Sequence, residues 1–443
     1  MDLTECVTDF IVDTEWKNVP AAVQHQAKRC LMDTLGSLVA GRLTPVMEVM
    51  THMAKRQLPG DEATILVSGE RVSVAGAVLA NGFAANALDI DDGYRLIKGH
   101  PGACILPVIL AVGEMVPSCS GKAFLNALVI GYEIGIRAGL IRHALHKTYH
   151  SSGSWGAISG AASAGKLLGL DRKGLFHAMG AAEYHAPIAP MMKGIATPSM
   201  GKDSIGWGAF VAIFSALMAQ EGFTGITPIF DDTPKSDWVK NLGREYEMMN
   251  IYFKPHAACR WAQPAVVGSL KIVRENRISL GDIRDICVRT FEAATKLPCT
   301  PPENTEQAQY NLSFPIAAAL IDGEVGPKQV LPPRLYNSHI LDLAEKVHAE
   351  VSIDFEKMFP SKTCAEVIIE TQQGGIFNSG PVEAVWEPPD TLPSDSELEG
   401  KFHWLADPVL GRKKTDPLAA LIWELDKMED INALIRNCVK ELD

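Results

Sequence analysis

Residues 87–105 read ALDIDDGYRLIKGHPGACI. Three carboxylates, Asp89, Asp91 and Asp92, are followed within a few residues by Arg95, Lys98 and His100. The flanking segments 72–89 and 103–115 are nearly all small and apolar, which predicts helices buried on every side. A buried helix end rarely carries so many ionisable groups, because each must be paired or hydrated. Gly93 and the Gly99-His100-Pro101-Gly102 run break the helix, so the charged groups fall on a loop between packed elements. A rigid scaffold that presents acids, bases and a histidine on a loop is a common way to build an active site. The competing reading is a solvated, salt-bridged turn.

Outward from this loop, the first 260 residues read as helix after helix. A start signal at Asn18-Val19-Pro20 and a stop at Gly41 bound a helix over 19–40, with Val23, Ala27, Cys30, Leu31, Leu35 and Leu38 at helical spacing. Residues 151–169, SSGSWGAISGAASAGKLLG, carry small side chains that let helices approach closely. A further helix is expected over 203–221, capped by Asp203 or Ser204. Near 280 the character changes. Segments 286–290 and 365–371 read as strands, with helices at about 304–321 and 335–347 and a strand at 348–353 between them. Residues 376–395 are rich in Pro, Glu and Asp and are expected to be loop, and 414–440 returns to amphipathic helix. The expected fold is mainly α: a large helical domain from 1–265 and 400–443, and a smaller α+β domain over 266–399.

The chain has 443 residues, 47% of them hydrophobic and 21% charged, an ordinary globular composition. The formal net charge of -12, with no basic block, excludes nucleic acid as the expected partner. An acidic protein still binds an anion where its site is locally basic. Nine cysteines form no C-x-x-C pair, which fits reduced thiols and neither a disulfide framework nor a zinc module. The acidic, amphipathic start MDLTECVTDFIVDTEW is unlike a signal or transit peptide. The apolar runs at 103–114 and 205–218 are too short or interrupted to span a bilayer. A cytoplasmic protein with no membrane partner is expected.

Four other segments carry chemistry. In RHALHKTYH, His146 and His150 share an i, i+4 spacing that can bind metal, but no third ligand is near, so no metal is expected. His150, at a helix junction, is instead an acid–base candidate. His100, between Gly99 and Pro101 and beside three aspartates, is the other. Lys202 lies just before a helix start, where a cation meets the positive end of the helix dipole and an anion would be welcome. Lys254 and Arg260, in YFKPHAACRWAQPA, suit a carboxylate clamp. Patterns for nucleotide, flavin or serine-hydrolase chemistry, with their required contexts, are absent.

In order and spacing, ALDIDDG-x-R-x₃-GHPGA, the His150 segment leading into GAASAGKLLGL, GKDSIGWGA and YFKPHAACRWAQP together resemble the MmgE/PrpD family. Its members include 2-methylcitrate dehydratase, cis-aconitate decarboxylase and iminodisuccinate epimerase. The resemblance covers essentially the whole chain. It implies a large helical domain built from both termini, a smaller α+β domain, a site in the cleft between them, a homodimer, and no metal or organic cofactor. It places site residues at Asp89, Gly93, His100, His150, Lys202 and Lys254, with a further position near Tyr310 to Phe314. The chain also departs from the pattern. Where decarboxylase-like members read DDT, it has Asp91-Asp92-Gly93, followed by Tyr94 and Arg95. The tyrosine expected in the small-domain helix is replaced by Phe314, with Tyr310 one turn earlier.

The chemistry shared across such a family is handling a proton at carbon next to a carboxylate. It needs an acid–base group and cations for the developing charge. The candidate catalytic set is His100, His150, Asp89 and Lys202. The candidate substrate-binding set is Asp92, Gly93, Tyr94, Arg95, Lys98, Lys254, Arg260, Tyr310 and Phe314. The expected activity is a cofactor-independent lyase, a dehydratase or decarboxylase, on a small di- or tricarboxylate. The alternatives are an epimerase of an iminodisuccinate-like substrate and a non-catalytic acid-binding protein.

Overall fold

The computed structural model describes residues 2–440. Two apolar cores organise the chain. The first gathers residues from Val7 to Phe253 and returns for Leu398 to Cys438. The second runs from Ala257 to Ile369 and takes in Ala40, Leu88, Ile90 and Leu405 from the first set of helices. The expected division at 265/266 falls inside the helix Gln263–Asn276, whose buried Ala265, Val266 and Ile272 all belong to the second core. Packing therefore moves the division to the crossing near 254–257.

In the first unit, helices Ala21–Gly41, Val74–Asn86, Pro101–Met115, Gly121–Leu145, Gly153–Leu167 and Ile205–Gln220 pack against one another. Small residues set their spacing. The Ser159 hydroxyl donates to the Gly131 carbonyl at 2.8 Å, and Ser163 donates to the Ala127 carbonyl at 3.0 Å. These bonds tie Gly153–Leu167 to Gly121–Leu145 at a distance that larger side chains would prevent. Gly121–Leu145 is, among the described residues, the one helix long and apolar enough to cross a membrane, and its apolar stretch is wholly buried inside the molecule. The C-terminal helix Asp395–Leu410 lies on Ala21–Gly41, with Phe402 against Gly36. The expected 414–440 helix is in fact three pieces, Arg412–Trp423, Leu425–Lys427 and Asn432–Asn437.

A two-residue ribbon, β1 (Ala63–Thr64) with β2 (Arg71–Val72), decorates the first unit. The second unit holds a four-stranded sheet of β3 (Ile283–Thr290), β4 (Val347–Val351), β5 (Cys364–Thr371) and β6 (Ile376–Glu383), in the order β4-β3-β5-β6. β3 and β4 are parallel, joined by a helical crossover, and the other pairs are antiparallel. β6 corrects the expectation of loop over 376–395. It is an edge strand, where Pro381 forfeits no interior ladder bond, and Gly380 at φ 64 turns the backbone locally. The expected helix at 304–321 is two, Thr305–Gln309 and Ser313–Asp322, and Tyr310 stands in the break.

The helix Ile205–Gln220 buries one face and exposes another. Trp207, Phe210 and Phe214 follow at i, i+3 and i+7, and their rings lie 5.7 Å and 4.8 Å apart between centroids. Trp207 and Phe214 are exposed.

One close helix approach gives a test of this packing. A Cβ at Gly41 would stand 2.0 Å from the Ala84 carbonyl oxygen and 2.8 Å from its carbon. Both are backbone atoms that no rotamer change can move. Gly41→Ala is therefore expected to lose about 1–3 kcal/mol, read as a lower midpoint in urea unfolding. An unchanged midpoint would show that the two helices part freely at this end.

Candidate active site

Chain segments from both units converge between the two cores. The helix Val74–Asn86 ends and the chain turns through Asp89 in the left-handed region, at φ 52. That turn aims the Asp89 carboxylate inward, where it is buried at 2% exposure. Lys254 Nζ lies 3.1 Å from its Oδ2, and Lys202 Nζ and His100 Nε2 lie 3.7 Å and 3.6 Å from its Oδ1. Burial alone would raise the Asp89 carboxyl, but the two lysines and His100 outweigh it and hold it well below the usual range.

His100 caps the helix Pro101–Met115, whose first position is the proline that suits a helix start. Its ring is fixed on both sides. Nδ1 lies 2.8 Å from the Asp92 carbonyl oxygen and 3.2 Å from Asp91 Oδ2, while Nε2 faces Asp89. Its amide donates to Ser152 Oγ at 3.1 Å. Burial and Lys254 would lower this imidazole, yet Asp91 and Asp89 push it up to about 9. At neutral pH His100 is thus an imidazolium, equipped to give a proton.

Asp203 joins the two cores. Its Oδ1 accepts from Ser152 Oγ at 3.1 Å, and its Oδ2 accepts from the Tyr310 hydroxyl at 2.7 Å. Of the two caps the sequence offered for the next helix, it is not the one used. Ser204 holds that place in the left-handed conformation with no side-chain capping bond. Asp203 as a site residue is invisible in the sequence, because its capping position explains it fully there.

Asp89, His100, Asp203, Tyr149, Tyr252 and Tyr310 line a cavity together with Arg95, Lys98, Cys259 and Arg260. The enclosed space is about 40 Å³, room for a few waters. Its cations differ in how far they are already committed. Arg260 pairs with Glu387, donates to the Val385 carbonyl at 3.1 Å and stacks over the Tyr252 ring at 4.3 Å. Arg95 also reaches Glu387, at 3.4 Å. Lys98 has no carboxylate partner among the described residues. Its ammonium lies 4.7 Å above the Tyr149 ring, and burial lowers its pKa. Of the lining cations, Lys98 is the one with charge to spare for an anion.

Several expected site residues are placed elsewhere. Lys202 and Lys254 stand behind Asp89 and not in the cavity wall. Lys202 Nζ donates to the Asn86 carbonyl and to Gln309 Oε1, both at 2.6 Å, so it does not join the helix N-terminus in holding an anion. Asp92 also faces away. It accepts from the Gly102 amide at 3.1 Å and from the Tyr132 hydroxyl, and burial with the nearby Asp33 charge pushes it up to about 7. The Tyr94 hydroxyl donates to Glu247 at 2.5 Å. Phe314 is fully buried in the second core, whereas Tyr310 lines the cavity. His146 and His150 do not share a helix face, because Gly121–Leu145 ends before both, and their rings meet edge to face at 5.6 Å. His150 is buried outside the cavity wall, with Nδ1 lacking a partner and its pKa lowered by burial and by Arg142.

Asp89, His100 and Asp203 offer ligand atoms within 4.8 Å of one another. A metal ion there would face the Lys254 and Lys202 ammonium groups already set against Asp89, so the donor set suits paired charges better than a cation. On the exposed sheet face, Cys287, His348 and Glu350 form a second such group. There His348 is paired with Asp285 at 3.2 Å and Glu350 with Arg289 at 3.3 Å.

Comparisons with known proteins agree with this architecture. The family model described as the MmgE/PrpD N-terminal domain matches residues 5–244, and that of the MmgE/PrpD C-terminal domain matches 256–427. The boundary between them coincides with the passage from the first core to the second. The chain is 25% identical to the cis-aconitate decarboxylase-like protein oryM of Aspergillus oryzae, over 98% of this chain and 96% of that protein. It is 23% identical to a cis-aconitate decarboxylase of Aspergillus terreus, over 95% of this chain and 93% of the other. With the cis-aconitate decarboxylase of Mus musculus it shares 24% identity, over 98% and 93%. On the two domain matches, which between them span nearly the whole length, this chain belongs to the MmgE/PrpD family.

Proposed function

We propose that this protein is a cofactor-independent lyase that acts at carbon next to a carboxylate in a small di- or tricarboxylate. The observation that carries the proposal is the His100 imidazolium, fixed between Asp89 and Asp91 at the wall of a cavity that also holds the uncommitted Lys98. The names of the relatives favour decarboxylation of a cis-aconitate-like tricarboxylate. In that reaction the bond to the departing carboxylate breaks, CO₂ leaves, and the electron pair stays on the adjacent carbon. Lys98 stabilises the remaining carboxylate charge, and His100 gives its proton to the carbon. Asp89 and Asp91 keep the imidazole charged and oriented, and Lys254 and Lys202 balance Asp89. His150, neutral and with a free ring nitrogen, is the second proton-transfer candidate. A cavity of about 40 Å³ does not hold such a substrate, so binding requires the walls from the two cores to part.

A second reading rests on Gly93. The absence of the threonine found in decarboxylase-like members favours an isomerase or epimerase, in which the proton returns to the same carbon and nothing leaves. Incubation in D₂O with a panel of polycarboxylates, followed by NMR, separates the two. Loss of CO₂ or water is expected; deuterium exchange without net loss would favour the second reading, and no change in any substrate would sink both.

His100→Gln and His150→Gln are each expected to lower turnover by roughly 10²–10⁴-fold; His150→Gln should leave the melting temperature nearly unchanged, whereas His100→Gln should also lower it, because Asp89 and Asp91 lose the imidazolium between them. For wild type, kcat/KM should fall as pH rises through about 9, because the acid form of His100 is lost there. The same titration bears on stability. The His100 pKa is raised on folding, so its contribution is complete below about 6.5 and disappears as pH climbs through about 9. A pH profile flat to 10 would remove His100 as the acid.

The exposed aromatic stripe Trp207, Phe210 and Phe214 favours a homodimer through this face. Light scattering is expected to give twice the 48.0 kDa chain mass, and Trp207→Glu to shift it toward one chain. A clean single-chain mass for wild type would refute the dimer.

A further inference from the structure

Tyr252 lies in the segment that crosses between the two cores. Its backbone pairs with Gly93 in both directions, amide to carbonyl at 3.0 Å and 2.9 Å. Its ring then folds back over Gly93. A Cβ at position 93 would stand 2.4 Å from both Cζ and the hydroxyl oxygen of Tyr252. No side chain other than hydrogen fits at 93 while this ring is in place, so the glycine is the counterpart of the tyrosine and not a vacancy in the site. The Arg260 guanidinium packs on the ring at 4.3 Å and fixes it from another side.

The phenol is almost fully buried and lines the same cavity as His100 and Lys98. Burial holds its pKa well above the ordinary tyrosine value, so it stays a neutral donor. Among the described residues the hydroxyl has no hydrogen-bond partner. The other two tyrosines of the wall are committed: Tyr310 donates to Asp203 and Tyr149 to the Lys98 carbonyl. The hydroxyl is not among the buried atoms left unpartnered: it opens onto the cavity, where water or a ligand oxygen can accept from it.

We infer that Tyr252 is a substrate-binding residue whose hydroxyl, held over Gly93, donates to a carboxylate or hydroxyl oxygen of the substrate in the cavity. The inference rests on the proposed polycarboxylate chemistry and extends it. The site recognises its substrate with a neutral, rigidly held donor beside Lys98, and a hydroxyl at position 93 is not needed for this.

Tyr252→Phe tests it, because the ring and its packing stay. Citrate and tricarballylate serve as probes in titration calorimetry, with thermal melting of both proteins alongside. Wild type is expected to bind at least one probe, and Tyr252→Phe to bind it roughly ten- to hundredfold more weakly, the range for a hydrogen bond to a charged group. Melting temperature should stay level or rise, since no bond within the protein is lost. Equal affinity in the two proteins would overturn the role of Tyr252 and leave the polycarboxylate reading standing. A lower melting temperature with equal affinity would mark the hydroxyl as structural and overturn it too. If wild type binds neither probe and the NMR panel shows no turnover, the functional reading falls and this inference falls with it.

Discussion

The carboxylate of Asp89, buried and approached by Lys254, Lys202 and His100, is the interaction on which the rest depends. Each of its partners comes from a different place in the chain. His100 comes from the start of one helix, Lys202 from the approach to another, and Lys254 from the crossing between the two cores. Two ammonium groups and an imidazolium cannot be buried together without negative charge between them. Asp89 supplies it, and in return it stays ionised in a place where burial alone would protonate it. Removing one partner from such a buried set typically costs about 3–5 kcal/mol, because a charge is left unpaired.

A second polar layer lies behind the first. Asp91 accepts from Asn86 at 2.8 Å and faces His100, and Asp92 is held by Gly102 and Tyr132. Deeper still, Lys401 from the C-terminal helix joins Asp33 to the Ile90 carbonyl at 2.7 Å. This last contact explains why the chain returns to its first unit after the sheet. The C-terminal helix both covers Ala21–Gly41 and delivers the cation that the buried Asp33 and the turn at Ile90 require. Small residues make the arrangement possible, since helices that approach this closely leave little water with which to share the charges.

Much of this was legible in the chain itself. The loop of ionisable groups between two apolar helices, the small-residue helix after His150 and the change of character near 280 all follow from local patterns. The errors also have physical causes. Residues 376–383 read as loop because the 376–395 stretch is rich in Pro, Glu and Asp, and a one-dimensional pattern does not reveal that a strand is at an edge. The 304–321 segment reads as one helix because its apolar periodicity survives the break at Tyr310. Asp203 is one of two caps the sequence offers for the next helix, and no local pattern singles out Tyr252.

By itself the sequence determined which groups must be buried and ionised near residues 89–100, because apolar helices on both sides leave them nowhere else to go, and it determined the family through the order of its motifs. Tertiary structure alone decided which cation is free. Lys202, Lys254, Arg260 and Lys98 look alike as residues in loops, but three are neutralised by Asp89 or Glu387 and one is not. That distinction depends on distances between segments far apart in the chain, which no local pattern encodes. The same holds for the exchange at Gly93, where the missing side chain and the ring that fills its place are brought together only by the pairing of two strands of backbone.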